Sequence, residues 1–152
     1  MILIKTWPEA QDEAYFIRRT VFIEEQGVPE ELELDEFDPI ALHALVYHQS
    51  QCMGTGRLIP LNTGSRIVPL GRIGRMAILP QYRKQNMGKQ LLQRLIQEGR
   101  DRGITHFELH AQLSAIPFYE KSGFIAHGAI YDEAGITHRD MMFNLFPSTY
   151  KP

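Results

Sequence analysis

Leu79-Pro80-Gln81-Tyr82-Arg83-Lys84-Gln85-Asn86-Met87-Gly88-Lys89 separates a β-rich stretch from a strongly amphipathic one. Upstream, Arg72-Ile73-Gly74-Arg75-Met76-Ala77-Ile78-Leu79 reads as a strand halted by Pro80, which has no N–H to give to a ladder. Downstream, Gly88, Leu91, Leu92, Leu95, Ile96 and Gly99 recur at helical spacing, and Lys89, Gln90, Gln93, Arg94, Gln97 and Glu98 fill the other side. Arg102-Gly103 closes that helix. A strand-to-helix connection leaves the first backbone N–H groups of the helix unpaired and attractive to anions. The basic residues gathered there predict a phosphate cradle.

Neither of the two best-known phosphate motifs is present. A P-loop needs Gly-x-x-x-x-Gly-Lys-Ser/Thr, whereas Gly88-Lys89 is followed by Gln90 and the position that should open the loop is Lys84. Three spaced glycines of a dinucleotide fingerprint are also missing.

Arg83-Lys84-Gln85-Asn86-Met87-Gly88, with its Pro80-Gln81-Tyr82-Arg83 lead-in, resembles the acyl-coenzyme A loop of the GNAT superfamily of N-acetyltransferases, Arg/Gln-x-x-Gly-x-Gly/Ala. Asn86 stands where that family usually has Gly; Asn is the residue after Gly that best tolerates a left-handed backbone, and it also caps helices. A second segment, Ser114-Ala115-Ile116-Pro117-Phe118-Tyr119-Glu120-Lys121-Ser122-Gly123-Phe124, reads as a short helix opened by Ser114 and closed at Gly123. It resembles the second GNAT signature, a Phe-Tyr-Glu-Lys-x-Gly-Phe helix beside the cofactor.

The resemblance implies acetyl-coenzyme A as co-substrate, with no metal. It implies that Arg83, Lys84, Asn86, Met87, Gly88 and Lys89 form the pyrophosphate loop, with the N–H groups of Met87, Gly88 and Lys89 facing the anion. Met76, Ala77 and Ile78 would line the pantetheine arm in a gap between the fourth and fifth strands. Phe118 would flank the cofactor, and Gln112, seven residues before Tyr119, stands where many members carry an Asn that bonds it. Tyr119 would protonate the departing thiolate, a proton transfer that needs a hydroxyl within hydrogen-bond reach of the sulfur.

The amine acceptor also has to lose a proton before it attacks, and Glu24, Glu25, His43 and His110 are the candidate bases. His110 lies at the strand end nearest the predicted reaction centre and is either that base or a hydrogen-bonded core histidine. Glu25, His43 and Arg75 are candidate acceptor-binding residues. Helical spacing also allows Glu25 to pair with Arg18 on the surface, and Arg75 either binds an acceptor carboxylate or pairs with an acidic neighbour such as Glu108. His106, Glu108 and His110 share one strand face, but i and i+2 neighbours stand nearly 7 Å apart by the usual rise, too far for all three to share one ion, so no metal is predicted.

Composition restricts the alternatives. The chain has 152 residues and is predicted to form one domain over 1–152. A formal net charge of −2 gives no global electrostatic case for nucleic acid. The one cysteine, Cys52, cannot form an internal disulfide; no signal segment or membrane-length apolar run is present, and a cytoplasmic location without membrane partners is expected.

The remaining segments read as a strand at 2–6, a helix opened by Thr6-Pro8-Glu9 chemistry with Ala10, Ala14, Ile17 and Val21 buried, an acidic loop with a helical turn at 30–38, and strands at 41–48 and 52–59. A turn is expected at Asn62-Thr63-Gly64-Ser65, then strands at 104–111, 124–130 and 137–146, the last two joined at Glu133-Ala134-Gly135. The order β-α-loop-β-β-β-α-β-α-β-β predicts an α+β fold with a mixed sheet of six or seven strands flanked by helices, and it resembles the GNAT order over nearly the whole chain. Arg18 to Pro29, Asp35-x-x-Asp38 and His43 resemble the ElaA-type bacterial branch.

The resemblance therefore predicts an acetyl-coenzyme A-dependent N-acetyltransferase acting by direct attack on a small-molecule or peptide amine, with homodimers frequent among its relatives. Two other readings use the same sequence: a non-catalytic acyl-coenzyme A sensor, and an acyl-homoserine lactone synthase-like enzyme suggested by the Arg-x-x-Val-Phe start.

Overall fold

The computed structural model describes residues 1–61 and 69–146. The turn expected at Asn62 to Ser65 lies outside the described residues. Seven strands form one mixed sheet, β1 (Ile2–Lys5), β2 (Leu42–His48), β3 (Gln51–Leu61), β4 (Leu70–Ile78), β5 (His106–Gln112), β6 (Ile125–Glu133) and β7 (Ile136–Asn144), in the spatial order β1-β2-β3-β4-β5-β7-β6. The helices are α1 (Trp7–Arg18), the four-residue α2 (Glu30–Glu33), α3 (Met87–Asp101) and α4 (Ile116–Glu120). This is the α+β fold and element order expected from the sequence.

Strand alternation places the helices. Ala44 and Val46 of β2 pack into one cluster with Leu91, Leu92 and Leu95 of α3, while Leu45 between them packs with Ala10 and Ala14 of α1. Successive strand residues point to opposite faces, so α3 and α1 cover opposite faces of the sheet. Each buried leucine of the α3 stripe contributes roughly 1.5–3 kcal/mol. Gly99 lets that helix approach closely, since a Cβ there would lie 2.6 Å from the Phe107 ring. The helix ends as predicted: Gly103 is left-handed, and the N–H groups of Gly103 and Ile104 bond back to Arg100 and Gly99.

Short-range turn chemistry accounts for the hairpins. Gln49 and Ser50 both have positive φ between β2 and β3, as do Ala134 and Gly135 between β6 and β7, the backbone of the two-residue turns that match strand twist. At the start of α1 the expected capping box of Thr6 and Glu9 forms, and the Glu9 carboxylate accepts from the Thr6 backbone N–H at 3.2 Å and its hydroxyl at 2.8 Å. Ser114 is not the cap expected for α4. It lies inside a 3-10 turn (Leu113–Ala115), and Ala115 precedes the helix.

Between β4 and β5 the sheet comes apart. The two are parallel and pair only at Leu70↔His106, Gly71↔Phe107 and Arg72↔Glu108. Beyond Arg72 they diverge, and a bulge in β4 places Arg75 and Met76 opposite Gly56 alone, because Arg57 pairs with Gly74 and Thr55 with Ala77. Arg75 takes a left-handed φ of 51° at this bulge. Gly56 makes room for it: a Cβ at Gly56 would lie 2.6 Å from the Met76 sulfur.

The chain between α1 and β2 forms a charged core beside this opening. Arg18, 1% exposed, donates from Nε to Glu33 at 2.7 Å and from Nη1 to Asp38 at 2.8 Å. Burial alone would lower its pKa, but the bonds and charges of Asp38 and Glu33 outweigh that and raise it. The expected surface pair of Arg18 with Glu25 therefore does not form; the acidic stretch read as a loop folds back to bury Arg18 instead. Among the described residues no helix is long and apolar enough to cross a membrane.

Candidate functional site

The divergence of β4 from β5 opens a cavity of about 810 Å³. A second, of about 490 Å³, lies over the loop that follows β4. Both are lined by Ile78, Arg83, Gly88 and Phe118, so they form one continuous groove from the sheet to the start of α3.

At the loop end the backbone takes the left-handed turn that Asn86 allows. Lys84 and Asn86 are both left-handed, with φ of 66° and 68°, and Asn86 precedes α3 without capping it through its side chain. The first bond within the helix runs from Gln90 N–H to the Asn86 carbonyl, which leaves the N–H groups of Met87, Gly88 and Lys89 without helical partners. Lys84, Asn86, Met87 and Lys89 line the second cavity. Phe118 closes this end from α4, against the bare backbone of Gly88.

Arg83 lines both cavities, but its charge is already paired. Its Nε donates to the Ile78 carbonyl at 3.0 Å, and its other two nitrogens grip the Glu25 carboxylate, Nη1 at 2.7 Å. That two-point bond holds the Glu25 carboxyl below the usual carboxylate range. Glu25 is thus a partner of the loop, and it does not line the cavity in which an acceptor would sit. It ends a π-helical continuation of α1 (Arg19–Glu25), a wider turn of the kind often found at functional sites. The next residue, Gln26, accepts from Gln112 Nε2 at 2.8 Å, so Glu25 and Gln26 together span from the β4 loop to the end of β5.

Midway along the groove, Met76 and Ile78 pack toward α3 while Ala77 packs with Ile17, Val21 and Leu79 on the α1 side. All three line the cavity, together with Gln112 at the end of β5. Tyr119 lines it as well, edge-on to Phe118 and Phe124 at 5.0 and 5.9 Å between ring centroids. Among the described residues no group hydrogen-bonds its hydroxyl, and burial pushes its pKa up to about 12. The phenol is therefore protonated at neutral pH and free to donate.

Across the cavity, His110 Nδ1 lies 3.3 Å from Glu133 Oε1. Glu133, which the sequence reading placed in a turn without a role, approaches His138 as well, 3.6 Å away from Oε2 to Nε2. The bond to Glu133 raises the His110 pKa, and the same bond lowers that of Glu133. The β5–β7 register, His110↔Asp140 and Gln112↔His138, brings these groups to one end of the cavity; they are distant in sequence and carry no local motif.

Two other expectations are resolved by packing. His43 does not reach the cavity: it is 1% exposed, 4.8 Å from the Trp7 ring by centroids, and its Nε2 is 3.0 Å from the Asp38 carbonyl. Burial lowers its pKa. Arg75 does line the cavity, but Glu108 is not its partner, since Glu108 pairs with Arg72 at 2.9 Å. Arg75 pairs with Asp35 at 3.1 Å and Glu33 at 3.4 Å. His106, Glu108 and His110 each have separate partners, Thr105, Arg72 and Glu133.

Comparison with known proteins agrees with this geometry. Residues 8–145 match the family model described as an acetyltransferase (GNAT) domain. The chain is 42% identical over 130 residues to the uncharacterised protein YyaT of Bacillus subtilis (strain 168), covering 83% of each chain. An acyl-CoA N-acyltransferase from Pseudomonas aeruginosa superposes with a TM-score of 0.81 at 25% identity, over 93% of this chain and 97% of that one. Escherichia coli ElaA shares the fold, with a TM-score of 0.80 at 22% identity over 93% and 98% of the two chains.

Proposed function

Since the chain belongs to the GNAT acetyltransferase family, we propose that it moves an acetyl group from acetyl-coenzyme A to an amine of a small molecule or peptide by direct attack. The observation that carries this reading is the divergence of β4 and β5 beyond Arg72 and Glu108. It opens the sheet onto a groove that ends at the unpaired N–H groups of α3. A long, thin donor ending in a pyrophosphate fits that shape, and the P. aeruginosa neighbour is an acyl-CoA N-acyltransferase.

The N–H groups of Met87, Gly88 and Lys89 hold the pyrophosphate, with Lys84 adding charge. Met76, Ala77 and Ile78 bind the arm along β4, and Gln112 and Phe118 flank it. His110, held by Glu133, takes the ammonium proton of the acceptor directly or through one water. The amine nitrogen then bonds to the acetyl carbon as the carbon–sulfur bond breaks. Tyr119 donates a hydrogen bond to the departing sulfur. A phenol near 12 is a weaker acid than a thiol near its reference value of about 8.5, so Tyr119 acts mainly by hydrogen-bonding the developing thiolate, with net protonation completed from solvent.

Thiol release from acetyl-coenzyme A in the presence of a panel of amines tests the reading. Amine-dependent release together with an acetylated product supports it. Tight binding of acetyl-coenzyme A with no turnover on any amine would instead favour a sensing role.

A further inference from the structure

We propose that the acceptor is an amine that also carries a carboxylate, held between Glu133 and Arg75, which both line the cavity. This rests on the transferase reading above and specifies its substrate class. Both residues line the same cavity, Arg75 from the β4 bulge and Glu133 from the turn end of the β6–β7 hairpin. Among the described residues no ion pair joins them: Arg75 pairs with Glu33 and Asp35, Glu133 with His110 and His138. Two opposite charges thus face one space with a gap between them, the arrangement that a zwitterion spans.

Arg75 is the least neutralised cation of its cluster. Glu33 is held at 2.7 Å by Arg18, Asp38 at 2.8 Å by Arg18 and 3.0 Å by Arg57, and Asp35 at 2.8 Å by Arg57. Arg75 has only the longer contacts to Asp35 and Glu33, and it donates otherwise to the carbonyls of Leu32 and Glu33 at 3.2–3.3 Å. Carbonyls orient a guanidinium without cancelling its charge. Its Nε and Nη2 carry these bonds, and among the described residues none is made by Nη1, which is left for a ligand. Burial first, and then the charges of Arg57 and Arg18, work against the Arg75 charge more than Glu33 and Asp35 favour it, a cost that an incoming carboxylate relieves.

Glu133 supplies the other pole. Its side chain is 47% exposed at the cavity wall, beside His110, the group that accepts the ammonium proton. The negative charge of Glu133 attracts the ammonium to His110, and Arg75 fixes the far end of the molecule. An uncharged or purely cationic amine leaves Arg75 Nη1 desolvated without a ligand partner, which disfavours it.

Matched acceptors test this: amino carboxylic acids and their carboxamides, each with acetyl-coenzyme A, read by thiol release. The acids are expected to show kcat/KM at least about tenfold above the amides, the scale of one charge-assisted hydrogen bond. Arg75→Gln should collapse that ratio and Arg75→Lys should keep part of it. If Arg75→Gln does not fold, the wild-type protein still decides: a carboxylate lacking the amine should compete with the acceptor, and its carboxamide should not. Equal use of acids and amides, or a preference that survives Arg75→Gln, overturns the assignment. Turnover of amines without carboxylates alone overturns it while leaving the transferase reading intact. No thiol release with any amine overturns both.

Discussion

Arg83 and Glu25, 58 residues apart in sequence, join in a two-point ion pair that ties the loop between β4 and α3 to the end of the first helical segment. The pair lies at the entrance to the cradle, and the guanidinium that would face a pyrophosphate already faces a carboxylate. Donor affinity is therefore set partly by Glu25. Glu25→Gln is expected to tighten coenzyme A binding several-fold, and Arg83→Gln to weaken it about tenfold. Both side chains are 39% exposed, so neither change should cost more than about 1 kcal/mol of stability. Titration calorimetry and thermal melting read the two effects separately.

Tyr119 faces the cavity with a free hydroxyl while its ring is packed among aromatics. Tyr119→Phe keeps the packing and removes the donor. It should reduce kcat by about ten- to a hundredfold with coenzyme A affinity unchanged. An unchanged kcat, measured in the same thiol-release assay, would remove Tyr119 from the mechanism.

The bond from Glu133 makes His110 more basic than an ordinary histidine. A base must be neutral to accept a proton, so kcat/KM should rise with pH through a pKa above the reference of about 6.5. Glu133→Gln removes the cause of the shift and should move this limb to lower pH, while lowering the plateau. A pH profile that does not move on this substitution would separate His110 from the rate.

Arg18 satisfies two buried carboxylates, and Trp7 covers its guanidinium, 5.4 Å from the ring centroid. Arg18→Met fills much of the volume but leaves Glu33 and Asp38 without this partner. The expected loss is about 3–5 kcal/mol, because an uncompensated buried charge costs more than the pair contributed. Urea unfolding of the two proteins measures it, and a loss under about 1 kcal/mol would contradict the account.

Asn86 has a left-handed backbone, and its side chain caps nothing. Asn86→Gly should keep the loop shape, with coenzyme A affinity unchanged or slightly better. A loss of tenfold or more in calorimetry would show that the amide itself contacts the ligand.

The sequence by itself determined much of what is governed by neighbours along the chain. The halt at Pro80, the left-handed turn at Asn86, the apolar stripe of α3 and its stop at Gly103 follow from local backbone preference and helical period, while the family was legible as a resemblance of two motifs. Element order followed from the same local signals, and the placing of Tyr119 beside the groove from the resemblance of its segment to the second GNAT signature. Tertiary structure alone decided which charges meet. Glu25 sits within helical reach of Arg18 yet pairs with Arg83; Arg18 turns inward to Glu33 and Asp38; Arg75 faces Asp35 in place of Glu108; Glu133 comes to His110 through the β5–β7 register. An ion pair has no period or local signature, since any cation attracts any anion. Only the packing of α1, the acidic segment and the last hairpin around the open sheet selects among the partners.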